Sequence, residues 1–318
     1  MNPALTRRSR LRADATAPLD RRLQAGGCRF TSVAMILSPA ARHGLAFAGV
    51  ILALLALTAP EAADMIRQWT WSSRYHHGWL AAPIALWLVL EARAWREVPL
   101  RFDRRGAVIL IGALCCALAG RILEAAIIGH ASMVVGIFGA GVLTLGGAFV
   151  RRSAFAFGFL AFMIPFGESL IPVLQDSAAF AVAGLLNLAG VETLRDGVLL
   201  TTSAGRFEMA ESCAGLRFLL AGVMIASLAA HLAFTGWRRQ AVFIGAAVAL
   251  AIAANWLRAS LIILTATATQ MRVGTGPEHV AFGWVFYGGL ILALLLAARR
   301  FGDRDAVPAL APAAASVE

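Results

Sequence analysis

The sequence predicts an all-α polytopic membrane protein of about eight transmembrane helices. Three observations predict it. Of 318 residues, 59% are hydrophobic and only 14% charged, against about 45–50% and about 25% in soluble domains. Mean hydropathy is +0.74. The apolar residues are gathered into runs of the ~20 residues that a helix needs to cross ~30 Å of hydrocarbon. The charges fall between those runs. The net charge of +10, with every one of the 28 basic residues an Arg, would suit a nucleic-acid binder if it clustered on one amphipathic element. Interleaved with apolar runs it is the pattern of membrane loops instead, so no nucleic-acid partner is expected. A β-barrel would show ~10-residue alternating segments, which are absent, and isolated strands would leave backbone groups unpaired in lipid. Four Cys in the chain exclude a disulfide scaffold.

Eight spans follow in order: 44–60, 78–94, 106–128, 131–150, 153–172, 211–234, 241–267 and 280–298. The first two are short or end in charge. Twenty of the 28 Arg fall on the side that holds both termini; only Arg67, Arg74, Arg195, Arg206 and Arg272 fall on the other. The positive-inside rule then places both termini in the cytoplasm. Residues 1–42 read as a disordered, Arg-rich tail too long to be the charged region of a secretory signal, with Met35 offering an alternative start. Residues 43–300 form a single transmembrane domain, and 301–318 a low-complexity tail. Between spans five and six, residues 173–190 form an apolar helix bounded by Pro172 and Gly190, expected to lie on the membrane or re-enter it. Residues 198–210 (VLLTTSAGRFEMA) read as a hairpin of two short strands around Ser203-Ala204-Gly205.

Charged groups inside spans cost several kcal/mol and are functional hypotheses by default. Span six opens with Glu211, Ser212, Cys213 and Arg217. Cys213 and Arg217 stand at i and i+4, which on one helix share a face. A helix N-terminus and a neighbouring guanidinium both favour a nucleophilic thiolate. A small apolar filler is the other reading of Cys213, and it is the reading for Cys115 and Cys116 in span three. Arg258 lies 17 residues into span seven, about 26 Å across a ~30 Å core, with Asn255 three residues earlier on the same face. A buried structural cluster is the competing reading of that pair. His279 stands at the outer mouth of span eight, beside Glu278. A thiol, a guanidinium and an imidazole thus reach one membrane depth on one side, where Cys and His can act as nucleophile and base and Arg can hold an oxyanion. Arg121 and Glu124 are expected to form an ion pair in span three, and Glu168 to line the same cavity as Cys213. Tyr75, His76 and His77 either bind substrate or form an interfacial belt. No HExxH, CxxC, GxSG or phosphate-binding glycine motif occurs, so no metal or nucleotide cofactor is expected.

The segments AESCAGLRF (210–218), NWLRAS (255–260) and EHVAFGWVFYG (278–288) resemble the Cys, N-x-x-R and H-x-x-x-G-W boxes of the exosortase/archaeosortase family of membrane transpeptidases. The likeness extends over roughly 75–298, from YHHGWLAAP through FMIPFG to the last span. Ala214 departs from the family pattern, where Ser is usual. The resemblance implies a catalytic triad of Cys213, Arg258 and His279, supported by Glu211, Arg217 and Asn255. It implies, as substrates, exported proteins with a C-terminal sorting signal (a short motif, a transmembrane helix and a basic cluster), cleaved through a Cys thioester. It also implies a multi-pass protein of the bacterial inner membrane whose site faces the periplasm. The residues alone leave open a transporter or channel with an outward polar cavity, and a non-catalytic scaffold for envelope export.

Overall fold

The computed structural model describes residues 38–270 and 278–303, with side chains of the last segment from residue 282 onward. By internal contacts the chain divides into Met1–Arg42 and His43–Glu318. Of the first unit only residues 38–42 are described, opening helix α1. The tails 1–37 and 304–318 lie outside the described residues.

Helix α1 (Pro39–Leu57) ends at buried Thr58, whose hydroxyl donates to the Leu54 carbonyl at 2.8 Å. Pro60 then opens α2 (Ala59–Trp71), in the first turn where its missing N–H costs nothing. Helix α3 (Gly78–Ala92) is followed by the single turn α4 (Ala94–Glu97). Helices α5 (Arg105–Ile122) and α6 (Ala126–Leu145) form a hairpin with a glycine seam. A Cβ on Gly106 would stand 2.1 Å from the Leu143 backbone, and one on Gly139 would stand 3.0 Å from that of Leu110. Small residues let helices approach closely where lipid supplies no hydrophobic drive.

Two expected spans yield no helix long enough to cross a membrane among the described residues. The stretch 78–94 forms only the 15 residues of α3, about 22 Å at ~1.5 Å per residue, short of a ~30 Å core. The stretch 153–172 breaks: α7 (Gly147–Arg152) and α8 (Ala154–Phe159) lead into a 3-10 turn at Leu160–Met163. Ile164 is then extended, because Pro165 disfavours the helical conformation of the residue before it. Gly167 follows at φ +98°. The helix expected on the membrane is α9 (Ile171–Leu188), and with it seven helices among the described residues are long and apolar enough to cross a membrane. The fold class holds, and the membership of the spans is corrected.

Helix α9 is sheathed by an antiparallel meander of β1 (Leu194–Asp196), β2 (Leu199–Thr202) and β3 (Gly205–Glu208). The hairpin around Ser203-Ala204 is the expected one; β1 adds a third strand. Leu200, fully buried, packs with Ala178, Ala179 and Val182 of α9. Asn187 and Gln175 tie the helix to Thr193 and Met209 through side-chain hydrogen bonds.

Helices α10 (Leu216–Ala233), α11 (Trp237–Ala268) and α12 (Glu278–Phe301) pack around Ala226, Ala247, Ala251 and Leu290. At 32 residues, α11 runs about 48 Å, well beyond a ~30 Å core. Its far end, through Ala259 and Ile263, joins the core of α9 and the sheet.

Candidate functional site

Cys213 sits where the sheet hands over to α10. Met209 N–H donates to the Val198 carbonyl at 2.9 Å, and a 3-10 turn follows at Glu211–Cys213, closed by Cys213 N–H to the Ala210 carbonyl at 2.8 Å. Gly215 then takes φ +82°, and a Cβ there would lie 2.6 Å from Cγ of Asn255. Only glycine meets both demands without strain. Helix α10 starts one residue later, which corrects the sequence expectation: Cys213 and Arg217 are not i and i+4 of one helix, because Gly215 breaks the backbone between them. Ala214, buried at this corner, is the position where the resembled Cys box usually has Ser.

The partner of the turn is α11. Asn255 donates through Nδ2 to the Cys213 carbonyl at 2.9 Å and accepts at 3.4 Å from an Arg258 nitrogen. Arg258 is 1% exposed, the largest fully buried side chain described. Its guanidinium carbon stands 5.5 Å from the centre of the Phe218 ring, and it lies near enough to the Cys213 side chain to interact with it electrostatically. Arg217 covers the same ring at 4.5 Å. The two cations therefore flank one aromatic ring, a cation–π arrangement that offsets part of their repulsion. Cys213 itself is partly exposed.

His279 lies in the first turn of α12, and its side chain falls outside the described residues. Gly283, one turn later, faces Arg217 and Phe218, each 3.6 Å from the position of a Cβ. The structure thus brings Arg217 and Arg258 together around Phe218, and Asn255 joins Arg258 to the Cys213 turn.

The chain matches the sequence model of the transmembrane exosortase (Exosortase_EpsH) over residues 69–296. It belongs to the transmembrane exosortase family. The matched stretch runs from Trp69 to Leu296 and contains Cys213, Asn255, Arg258 and His279. The curated proteins and the solved structures yielded no match.

In this exosortase-family chain the rim of the site is ionic. Glu211 faces outward and binds Arg74, Oε2 to a guanidinium nitrogen at 2.6 Å, while the other terminal nitrogen of Arg74 stands 3.5 Å from Glu168. Glu168 therefore does lie beside the Cys213 turn. Tyr75 is buried next to it, and burial, reinforced by the Glu168 charge, pushes its phenol up to about 12. Burial likewise lowers the imidazole of His77 below its ordinary value. The sequence shows Arg74 only as part of the charge balance, although it directly precedes the Tyr75-His76-His77 run.

Arg121 does not pair with Glu124. It clasps Glu61 of α2 at 2.5 and 2.7 Å, since Glu124 turns away in the left-handed region at φ +53°. Among the described residues no group of three or more His, Cys, Asp or Glu is placed to hold a metal ion.

Proposed function

We propose that this exosortase-family protein is a membrane-embedded cysteine transpeptidase that cleaves C-terminal sorting signals from exported proteins. The observation that carries the reading is Arg258. A guanidinium within an apolar helix costs several kcal/mol, and this one is fully buried beside Asn255, which binds the carbonyl of Cys213, whose thiol is partly exposed. In the proposed reaction the Cys213 proton passes to His279, and the sulfur attacks the peptide carbonyl. Arg258 holds the oxyanion that forms. His279 returns the proton to the leaving amine as the tetrahedral adduct collapses to a thioester. It then takes a proton from the acceptor, water or an amine, as that group displaces Cys213. Asn255 fixes the carbonyl of the nucleophile's own residue, so the sulfur is held before substrate arrives. Arg217 adds positive potential, and the Arg74–Glu211–Glu168 rim orders the entrance. The site opens to the periplasm in this reading, with both termini cytoplasmic and the protein in the inner membrane.

Mass spectrometry of a co-expressed sorting-signal protein tests it. The wild type yields a product truncated at the signal, and Cys213→Ala leaves the substrate whole. Undiminished processing by Cys213→Ala sinks the thioester, and favours a solute-binding cavity instead.

A further inference from the structure

Helices α11 and α12 do not close against one another on their outer side. Near Arg238 and Arg239 a groove of about 480 Å³ opens between them, floored by Ala246, Ala293 and Ala297. It shares Leu250 and Ala293 with a second hollow of about 290 Å³ that continues past Gly289 to Ala254 and Phe286. A narrow gap bounded by the same Ala254 and Phe286 then reaches Phe218 and Arg258. The result is one apolar trough. From Arg238 to Ala254 it runs 16 residues of α11, about 24 Å at ~1.5 Å per residue. Small side chains cause it: alanines and a glycine occupy the seam where larger residues would interdigitate.

The mouth of the trough is cationic. Arg238 packs on the Trp237 ring at 5.5 Å and Arg300 on Phe301 at 5.7 Å. Arg239 is taken up by Asp303 and by the Phe301 carbonyl. Neither Arg238 nor Arg300 pairs with a carboxylate among the described residues. Trp237 is 73% exposed, as befits an aromatic at the membrane–water boundary. An apolar channel of this length, with the Arg238 guanidinium lining its mouth and Arg300 next to the lining residue Phe301, is complementary in charge and polarity to one kind of molecule. We propose that the α11–α12 trough binds an anionic glycerophospholipid from the leaflet at the Trp237 end. Its phosphate sits between Arg238 and Arg300, and an acyl chain lies along Ala246, Ala293 and Gly289 with its methyl end toward Phe218. Basic pockets between membrane helices recognise such headgroups. This inference does not depend on the chemistry proposed for Cys213.

The test uses the full chain, reconstituted in vesicles of phosphatidylcholine alone or of equimolar phosphatidylcholine and phosphatidylglycerol, then extracted and weighed by native mass spectrometry. The wild type is expected to retain phosphatidylglycerol in preference. The double variant Arg238→Gln/Arg300→Gln is expected to lose that preference by about tenfold or more. Ala293→Phe, which fills the trough, is expected to retain neither lipid; if it does not fold, Ala246→Leu on the facing wall replaces it. Equal retention of the two lipids by the wild type overturns the proposal, as does an undiminished preference in the double variant. Retention of phosphatidylglycerol by the filled variants overturns the trough, leaving only surface charge. Thermal stabilisation by glycerol 1-phosphate equal to that by the whole lipid overturns it as well, because no chain would then be needed.

Discussion

Replacing Gly215 with alanine probes the corner that presents Cys213. At φ +82° an L side chain costs roughly 1–2 kcal/mol. The new methyl would also stand 2.6 Å from Cγ of Asn255, which is 5% exposed and has little room to retreat. Its displacement gives up the bond to the Cys213 carbonyl, a further ~1 kcal/mol. Gly190 supplies the control, with φ +83° and nothing within 4 Å of an added Cβ. Gly190→Ala therefore carries the strain alone, and Gly215→Ala is expected to exceed it by about 1 kcal/mol or more. Thermal unfolding in one detergent reads the difference as a lower Tm for Gly215→Ala. Cleavage of a sorting-signal reporter is expected to fall at least about tenfold in Gly215→Ala, since a shift of ~1 Å at a reacting group can cost ~10²-fold, and to survive in Gly190→Ala. Equal Tm losses in the two variants, together with intact cleavage by Gly215→Ala, would refute the link between Asn255 and the nucleophile's turn.

Three further outcomes are expected. Arg258→Lys loses most processing, because a point charge does not replace a planar fork; normal yields of truncated reporter remove Arg258 from its assigned role. Leu200→Ala costs ~2–5 kcal/mol and loosens the sheet from α9, seen as faster limited proteolysis within residues 190–210. Glu61 titrates in a defined direction: its hydrogen bond with Arg121 holds the carboxyl below the ordinary 4.5. The folded value is the lower one, so the stabilisation is complete above that ordinary value and fades as pH falls through the folded value. The Tm advantage of wild type over Glu61→Gln should shrink across that acidic window, and a constant advantage contradicts the ion pair.

The helical membrane class was legible because it rests on composition and run length, which need no tertiary knowledge. The span boundaries were less so. The run 153–172 is apolar throughout its first half, yet Pro165 and Gly167 interrupt it, and hydropathy does not register a backbone break. Strand β1 escaped notice because Leu194-Arg195-Asp196 is exposed on every residue and shows no alternation. At the site, Cys213, Asn255 and Arg258 were visible as polar groups where lipid should be. The means of their meeting was not: a left-handed glycine, rather than an i, i+4 helical repeat, aims Cys213 at α11. Arg74 and Glu61 were hidden for a shared reason. Each pairs across more than fifty residues of chain, with Glu211 and with Arg121, and local spacing carries no trace of such partners.

Helix α11 is a single uninterrupted helix, with no Pro between Trp237 and Ala268. Near one end Arg239 is pinned to Asp303 and to the last turn of α12; 19 residues on, about 28 Å away, the rod carries Arg258. A pivot of only ~2° about the pinned end sweeps the guanidinium through ~1 Å, comparable with the tolerance of a reacting group. A tilt of α11 imposed at its Arg239 end is thereby carried along the rod to the cluster around Arg258.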